Sequence, residues 1–186
     1  MQIRKGFDEK DRSQATAIYL NAFKRKFENL IGEEKLIQGL FEKALDPTYC
    51  VCAYEDDKII GIAGFHEGSH GFVDIKYGDF IKMFGWFYGT WKAVITDTLF
   101  TRKPSSTDVF LMDGIAVDSN YRGLGVGSKL FDALISYGQS TGYKYIQLDV
   151  IDENPRAKAL YERLGFEKNP MRECLVCSQI VLECLV

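Results

Sequence analysis

A glycine-rich segment in the second half of the chain constrains its fold more than any other feature. The run Arg122–Ser128 reads RGLGVGS and lies between an apolar strand-like segment and an amphipathic helix-like one. Glycine lacks a Cβ atom, so closely spaced glycines let successive backbone N–H groups converge on an anion. The N-terminus of the following helix adds partial positive charge. The segment therefore predicts a strand–loop–helix unit that binds phosphate or pyrophosphate.

Apolar periodicity along the chain predicts a mixed α/β domain. Helical spacing marks two early helices, one helix after the glycine-rich segment and a last helix after Asn154-Pro155. Strand-like apolar runs lie between them, at residues 2–7, 49–54, 58–65, 108–117, 145–150 and from 166 onward. This order places a parallel β-α-β element in the second half of the chain. We expect one domain over residues 1–186, with a central mixed sheet of six to seven strands flanked by helices.

One segment, residues 68–105, separates the third and fourth predicted strands. Its large apolar residues recur at three- and four-residue steps, which predicts a helical insertion with a strongly aromatic face. They are Phe80, Phe84, Phe87, Trp91 and Ile95. Such a face usually packs on the domain or on a second subunit, which would make a homodimer. The alternative is that it lines a pocket for an amine.

Charge and composition argue against a nucleic-acid-binding, a membrane-spanning or a secreted protein. With 23 basic and 26 acidic residues the net charge is −3, which argues against a nucleic-acid-binding protein. The longest apolar stretch, residues 72–100, is broken by charged residues, so we expect no membrane span. The first residues, MQIRKGFDEK, have no apolar run behind their charges, so we expect no secretory signal and a cytoplasmic protein.

The cysteines and histidines do not predict a metal site. Five cysteines are an odd number, which does not suggest a disulfide framework. Two pairs are close enough in sequence to share a metal: Cys50 with Cys52, and Cys174 with Cys177. Both pairs lie in apolar strand-like runs, so we expect buried thiols rather than ligands. We interpret His66 and His70 as loop histidines without an acidic or thiol partner.

The spacing of the glycines distinguishes three known kinds of phosphate loop. A nucleotide P-loop ends in Gly-Lys-Ser/Thr, whereas Lys129 comes one place late and no Ser or Thr follows it. The dinucleotide fingerprint is G-x-G-x-x-G, whereas this chain has G-x-G-x-G. Both of these loops are therefore disfavoured.

The third kind of loop fits well. Residues 114–130, GIAVDSNYRGLGVGSKL, resemble the acetyl-CoA motif of the GNAT superfamily of N-acetyltransferases. Residues 148–166, LDVIDENPRAKALYERLGF, resemble the second motif of the same family. The two motifs occur in the family's order, with the expected strands and helices around them. The resemblance is specific over residues 109–168, and the segment 68–105 departs from it.

The resemblance implies that acetyl-CoA is the co-substrate and enters between the fourth and fifth strands. The backbone of Ile115, Ala116 and Val117 would pair with the pantetheine amides, and the Val117 N–H would polarise the thioester carbonyl. The backbone of the loop would hold the pyrophosphate through Arg122, Gly123, Leu124, Gly125, Val126, Gly127 and Ser128. In the second motif, Asn154 and Ala157 would lie beside the cofactor. Asn154 has the alternative role of capping its helix.

The resemblance also implies three candidate catalytic residues. Tyr161 would protonate the leaving thiolate, although its place on an apolar stripe also suits a core tyrosine. Acyl transfer to an amine needs a base, because a protonated amine cannot attack. Asp149 matches the position of a catalytic Glu in some members, and Asp113 on the preceding strand competes with it. Either could instead be an ordinary strand-end carboxylate.

The function implied is the transfer of an acetyl group from acetyl-CoA to a primary amine. No cysteine occupies a catalytic position of either motif, so we expect direct attack rather than a Cys-acyl enzyme. A small molecule is the first choice of acceptor, and a protein N-terminus or lysine is the second. A CoA-binding sensor without catalysis is the alternative from another class.

Overall fold

The computed structural model describes residues 1–31, 34–68, 70–75, 78–79, 82, 106–151, 161–173 and 179–185. Its helices are α1 (Arg12–Ile31), α2 (Glu34–Ala44) and α3 (Val126–Ser140). Its first five strands are β1 (Gln2–Lys5), β2 (Cys50–Glu55), β3 (Lys58–Glu67), β4 (His70–Gly71) and β5 (Val109–Val117). The remaining strands are β6 (Tyr145–Ile151), β7 (Glu167–Glu173) and β8 (Gln179–Leu185).

The strands form one mixed sheet in the order β1-β2-β3-β5-β6-β8-β7, and the two-residue β4 pairs with β3 beside this path. Strands β5 and β6 run parallel, whereas the other described pairs are antiparallel. The helix α3 connects the parallel pair. The predicted mixed sheet flanked by helices is therefore confirmed.

Helices α1 and α2 cover one face of the sheet. The predicted stripes place Ala15, Ile18 and Tyr19 of α1 and Leu40 and Phe41 of α2 in the core. They pack against side chains of the sheet and of the chain that follows β3, among them Cys52, Ile62 and Phe72. Burial of each large apolar side chain stabilises the fold by about 1.5–3 kcal/mol.

Helix α3 covers the opposite face. Its residues Val126, Leu130, Phe131 and Leu134 recur at helical spacing and are all buried. Their partners on the sheet alternate with the residues that face α1 and α2, as the two-residue period of a strand requires. These partners include Ala63, Phe65, Phe110, Met112, Ile146 and Leu148. Gly142, at φ +87°, follows the end of α3.

The region between β3 and β5 shows one difference from the predicted elements. Strand β3 extends to Glu67 and β4 begins at His70, so the interpretation of His66 and His70 as loop residues is wrong. Phe72 is fully buried, and Val73 pairs with Leu45 after α2, so this part belongs to the core. The aromatic residues of the predicted helical insertion, from Phe80 to Ile95, lie outside the described residues.

Within the described residues, no helix has the length and apolar character that crossing a membrane would require. The same part of the chain contains no group of three or more His, Cys, Asp or Glu side chains that could hold a metal ion. Cys50 and Cys52 are buried, and their Sγ atoms lie 3.9 Å apart. The contact with Cys52, together with burial, raises the pKa of the Cys50 thiol and keeps it neutral. Cys174 and Cys177 lie outside the described residues.

Candidate functional site

The parallel strands β5 and β6 separate soon after they begin. Their register runs from Val109 opposite Tyr145 to Leu111 opposite Gln147. Beyond that point β5 stays paired with β3 as far as Val117, and β6 stays paired with β8 as far as Ile151. The carboxyl ends of the two strands therefore follow different neighbours and leave a gap between them.

A β-bulge lies where the strands separate. Gly64 of β3 pairs with Gly114, but the next residue, Phe65, pairs with Met112, so Asp113 is an extra residue on β5. Gly114 has φ +136°, which favours glycine. A bulge bends its strand and increases its twist. The bulge at Asp113 thus gives a physical reason for β5 to leave β6.

Beyond the bulge, the backbone of β5 alternates between β3 and the gap. The Asp118 N–H donates to the Ile60 carbonyl at 3.0 Å, which fixes the phase of the alternation. Ala116 therefore directs its N–H and C=O to β3, and Ile115 and Val117 direct theirs to the gap. In agreement, the Val117 carbonyl accepts a hydrogen bond from Nε of Arg122 at 3.1 Å. Of the three predicted residues, Ile115 and Val117 can offer backbone groups to a ligand in the gap.

The glycine-rich loop opens α3 at the end of β5. Gly123 and Gly125 have φ +80° and +78°, and a methyl group on either would meet no atom within 4 Å. The first hydrogen bond of α3 runs from the Lys129 N–H to the Gly125 carbonyl at 3.1 Å. The N–H groups of Val126, Gly127 and Ser128 come before it and are the open donors of a helix N-terminus.

The side chains of the loop are consistent with an anion site. Arg122 is exposed beside the backbone cradle, and no acidic residue lies in the first turn of α3. The helix dipole adds partial positive charge at the same place. Leu124 is 68% exposed, so it is not part of the core. Val126 is buried and anchors the helix end to the α3 face of the sheet.

Tyr161 lies in the core on the α3 face, and the helical residues 161–163 come before the turn at Gly165. Its ring meets Phe166 edge to face at 5.5 Å, and Phe166 in turn contacts Phe131 of α3. Burial raises the pKa of Tyr161 to about 12. The phenol therefore keeps its proton at neutral pH, and such burial suits both a general acid and a core tyrosine.

Of the other predicted residues of the second motif, only the backbone of Asp149 is among the described residues. Asn154 and Ala157 lie outside the described residues. The backbone of Asp149 lies in β6 opposite Val181. Its side chain is outside the described part of the chain.

The structure brings together His66 and Asp113, so the prediction that His66 has no acidic partner is wrong. Nε2 of His66 on β3 lies 2.6 Å from Oδ1 of Asp113. The two side chains keep only 13% and 9% of their surface exposed. The residues are 47 positions apart. The only signal in the sequence was a histidine just after one predicted strand and an aspartate in the middle of another, which does not predict a contact.

The chain is similar to known acetyltransferases in sequence and in structure. The acetyltransferase (GNAT) family model matches residues 16–166. The L-2,4-diaminobutyric acid acetyltransferase of Halalkalibacterium halodurans is 35% identical over 74 residues, which are 40% of this chain and 39% of that protein. The match thus spans about two fifths of that relative's length.

Solved structures agree with the fold. An N-acetyltransferase from Staphylococcus aureus aligns over all of both chains, with a TM-score of 0.68 and 15% identity. A ribosomal-protein-alanine N-acetyltransferase from Brucella melitensis also aligns over all of both chains, with a TM-score of 0.58 and 15% identity. At such low identity these structures show the fold alone. The family model, however, covers most of the chain, and it includes the separating strands and the glycine-rich loop. This chain therefore belongs to the GNAT family of acetyltransferases.

Proposed function

We propose that this protein is an acetyl-CoA-dependent N-acetyltransferase that acetylates the primary amine of a small molecule by direct attack. The observation that carries the proposal is the gap between β5 and β6 with an open backbone cradle at its mouth. Membership of the family supplies the class of reaction.

The residues around the gap fit acetyl-CoA. Open space above Gly123 and Gly125 leaves room for a pyrophosphate close to the backbone. The free N–H donors at the start of α3 and the Arg122 guanidinium suit its negative charge. When bound, acetyl-CoA supplies an acetyl group that is activated as a thioester. The backbone groups of Ile115 and Val117 would hold the arm that carries it, much as a neighbouring strand would.

Two groups of the chain would assist the transfer. The Ile115 N–H, which faces the gap two positions from the bulge, would donate a hydrogen bond to the carbonyl oxygen, where negative charge develops during attack. The Val117 N–H, which the sequence suggested for this role, lies beside the cradle and would hold the arm instead. Tyr161 would donate a proton towards the leaving sulfur. Its pKa of about 12 ensures that the donor is protonated at the working pH. A carboxylate, Asp113 or Asp149, would accept the proton of the amine.

The choice of a small-molecule acceptor has support from a relative. The protein of H. halodurans is named for an amino acid with a side-chain amine, and it is 35% identical over 74 residues. A protein N-terminus is the second choice, in line with the name of the B. melitensis structure. A cytoplasmic location and a homodimer stay predictions.

Parallel calorimetric titrations with acetyl-CoA, CoA, ATP and NAD test the cofactor. We expect acetyl-CoA and CoA to bind, and ATP and NAD to bind far more weakly. Binding of ATP or NAD without acetyl-CoA would overturn the proposal.

The acceptor is tested by following the release of CoA thiol with L-2,4-diaminobutyrate and with a peptide that has a free N-terminal alanine. Transfer to the first supports the small-molecule acceptor, and transfer to the second alone supports a protein acceptor. Acetyl-CoA binding without transfer to any amine of a broader panel would favour a non-catalytic CoA-binding sensor.

A further inference from the structure

We infer that Asp113, held in place by His66, accepts the proton of the acceptor amine. His66 is then a positioning residue that acts through Asp113. The inference rests on the proposed function and adds to it the identity of the base and its partner.

The first support is the position of Asp113 along the gap. Asp113 is the bulge residue, two positions beyond the last residue of β5 that pairs with β6. The cradle lies just beyond Val117, at the other end of the gap. Val117 lies four positions from Asp113 along the strand, a distance of about 13 Å at ~3.3 Å per residue. A ligand that is held by its pyrophosphate at the cradle and extends into the gap therefore brings its far end towards Asp113.

The second support is the face of the sheet on which the pair lies. Phe65 and Glu67 contact α3 through Tyr137, so His66 between them points to the opposite face. Asp113 bonds His66 and shares that face, which α1 and α2 cover. Tyr161 lies on the α3 face. The base and the acid therefore lie on opposite faces of the sheet. The amine can approach Asp113 from one face, and Tyr161 can protonate the leaving thiolate from the other.

The third support is the contact itself. A separation of 2.6 Å between Nε2 and Oδ1 is that of a strong hydrogen bond. Gly71 of β4 lies so close to the His66 ring that a methyl group there would overlap Nδ1. The ring is thus fixed from one side by Gly71 and from the other by Asp113. Nε2 is engaged by Asp113 and Nδ1 lies against Gly71, so we assign the contact with the amine to Asp113 rather than to His66.

Burial explains why Asp113 needs a hydrogen-bond donor. A carboxylate with 9% of its surface exposed loses most of its hydration, which favours the neutral form unless a donor compensates. A hydrogen bond from His66 offsets this cost and holds the carboxylate in one orientation. An ionised carboxylate can both attract an ammonium group and accept its proton.

Kinetics of single and double variants test the coupling between the two residues. Asp113→Asn should lower kcat with the better of the two amine probes by about 10²-fold, the usual effect of a lost general base. It should lower kcat more than Asp149→Asn does. His66→Leu should lower kcat about tenfold, and His66→Gln, which keeps an N–H donor, should recover most of that loss. His70→Gln is the matched control and should keep wild-type kcat. The acetyl-CoA Kd should stay the same throughout.

The double variant separates positioning from a structural role. If His66 acts through Asp113, His66→Leu adds little to the loss already caused by Asp113→Asn. Losses that multiply would overturn the inference, as would a larger loss for Asp149→Asn than for Asp113→Asn. Should His66→Leu fail to fold, a double variant with His66→Gln in its place gives the same comparison.

Nuclear magnetic resonance gives a measurement that does not depend on activity. The chain has two histidines, so a His70→Gln variant leaves only the ring signals of His66. We expect acetyl-CoA to shift these signals, because the pair lies where the gap narrows. If calorimetry shows that acetyl-CoA binds and the His66 signals do not move, this inference fails while the proposed function stands. If acetyl-CoA does not bind, the proposed function itself fails.

Discussion

Replacement of Gly125 by alanine separates the two roles of this glycine, its backbone conformation and the space above it. Gly125 has φ +78° at the start of α3, and a methyl group would meet no atom within 4 Å. A left-handed conformation costs an L-residue about 1–2 kcal/mol, whereas steric overlap with the protein costs nothing here. The fold should therefore survive Gly125→Ala with a small loss of stability.

Gly142 offers a matched control at the other end of the same helix. It has φ +87°, and a methyl group there also meets no atom within 4 Å. Gly142→Ala should therefore cost the same ~1–2 kcal/mol of unfolding free energy as Gly125→Ala. For a chain of this size each kcal/mol lowers the Tm by about 2–4 °C. Melting followed by circular dichroism should thus show two equal, modest decreases.

Only the Gly125 variant should affect the cofactor. Its methyl group would occupy the space that the pyrophosphate needs next to the N–H groups of α3. We expect the acetyl-CoA Kd to rise at least tenfold, which is a loss of about 1.4 kcal/mol of binding free energy. Gly125→Val, with a larger β-branched side chain at positive φ, should abolish binding.

Calorimetric titration of the wild type, Gly125→Ala and Gly142→Ala with acetyl-CoA gives the comparison. The prediction holds if both variants are equally destabilised and only Gly125→Ala binds weakly. Equal Kd values for the two variants would refute the assignment of Gly125 to the pyrophosphate cradle. A Gly142→Ala variant that also lost binding would mean that helix stability, and not contact, controls affinity.

The remaining predictions concern the acid, the loop and the core. Tyr161→Phe should lower kcat by about 10²-fold at constant acetyl-CoA Kd, and unchanged kcat would exclude Tyr161 as the acid. Because burial raises the pKa of Tyr161 to about 12, the folded state holds this proton more tightly than the unfolded state. The free energy of unfolding of the wild type, measured in urea, should thus fall as the pH rises from 10 to 12. The fall should be smaller in Tyr161→Phe. Arg122→Gln should raise the acetyl-CoA Kd about tenfold, and more at low than at high salt, whereas a Kd insensitive to the change would remove Arg122 from the site. Leu130→Ala empties a fully buried position on the α3 face and should cost about 2–5 kcal/mol in urea unfolding; a loss below 1 kcal/mol would mean that the core there is not packed as described.

The local features of this chain could be predicted from sequence because they depend on neighbours in sequence. The glycines at 123 and 125 permit positive φ, and both adopt it directly before α3. The spacing of Leu130, Phe131 and Leu134 needs only the helical period to put them on one face. Both the parallel β-α-β element and the family resemblance follow from such patterns.

The bulge at Asp113 and its contact with His66 depend on strand register and on distant segments meeting, so only the tertiary structure decided them. The bulge that places Asp113 outside the regular pairing comes from the way β3 and β5 meet, which no local pattern in either strand encodes. His66 finds Asp113 only because β3 continues past its apolar run, while the following polar residues suggest a loop. Sequence periodicity tells which side of a strand a residue faces, but not which residue on the next strand lies beside it. The sequence therefore determined the kind of site and its backbone cradle, and the assembled sheet determined where a carboxylate is held at the end of the gap.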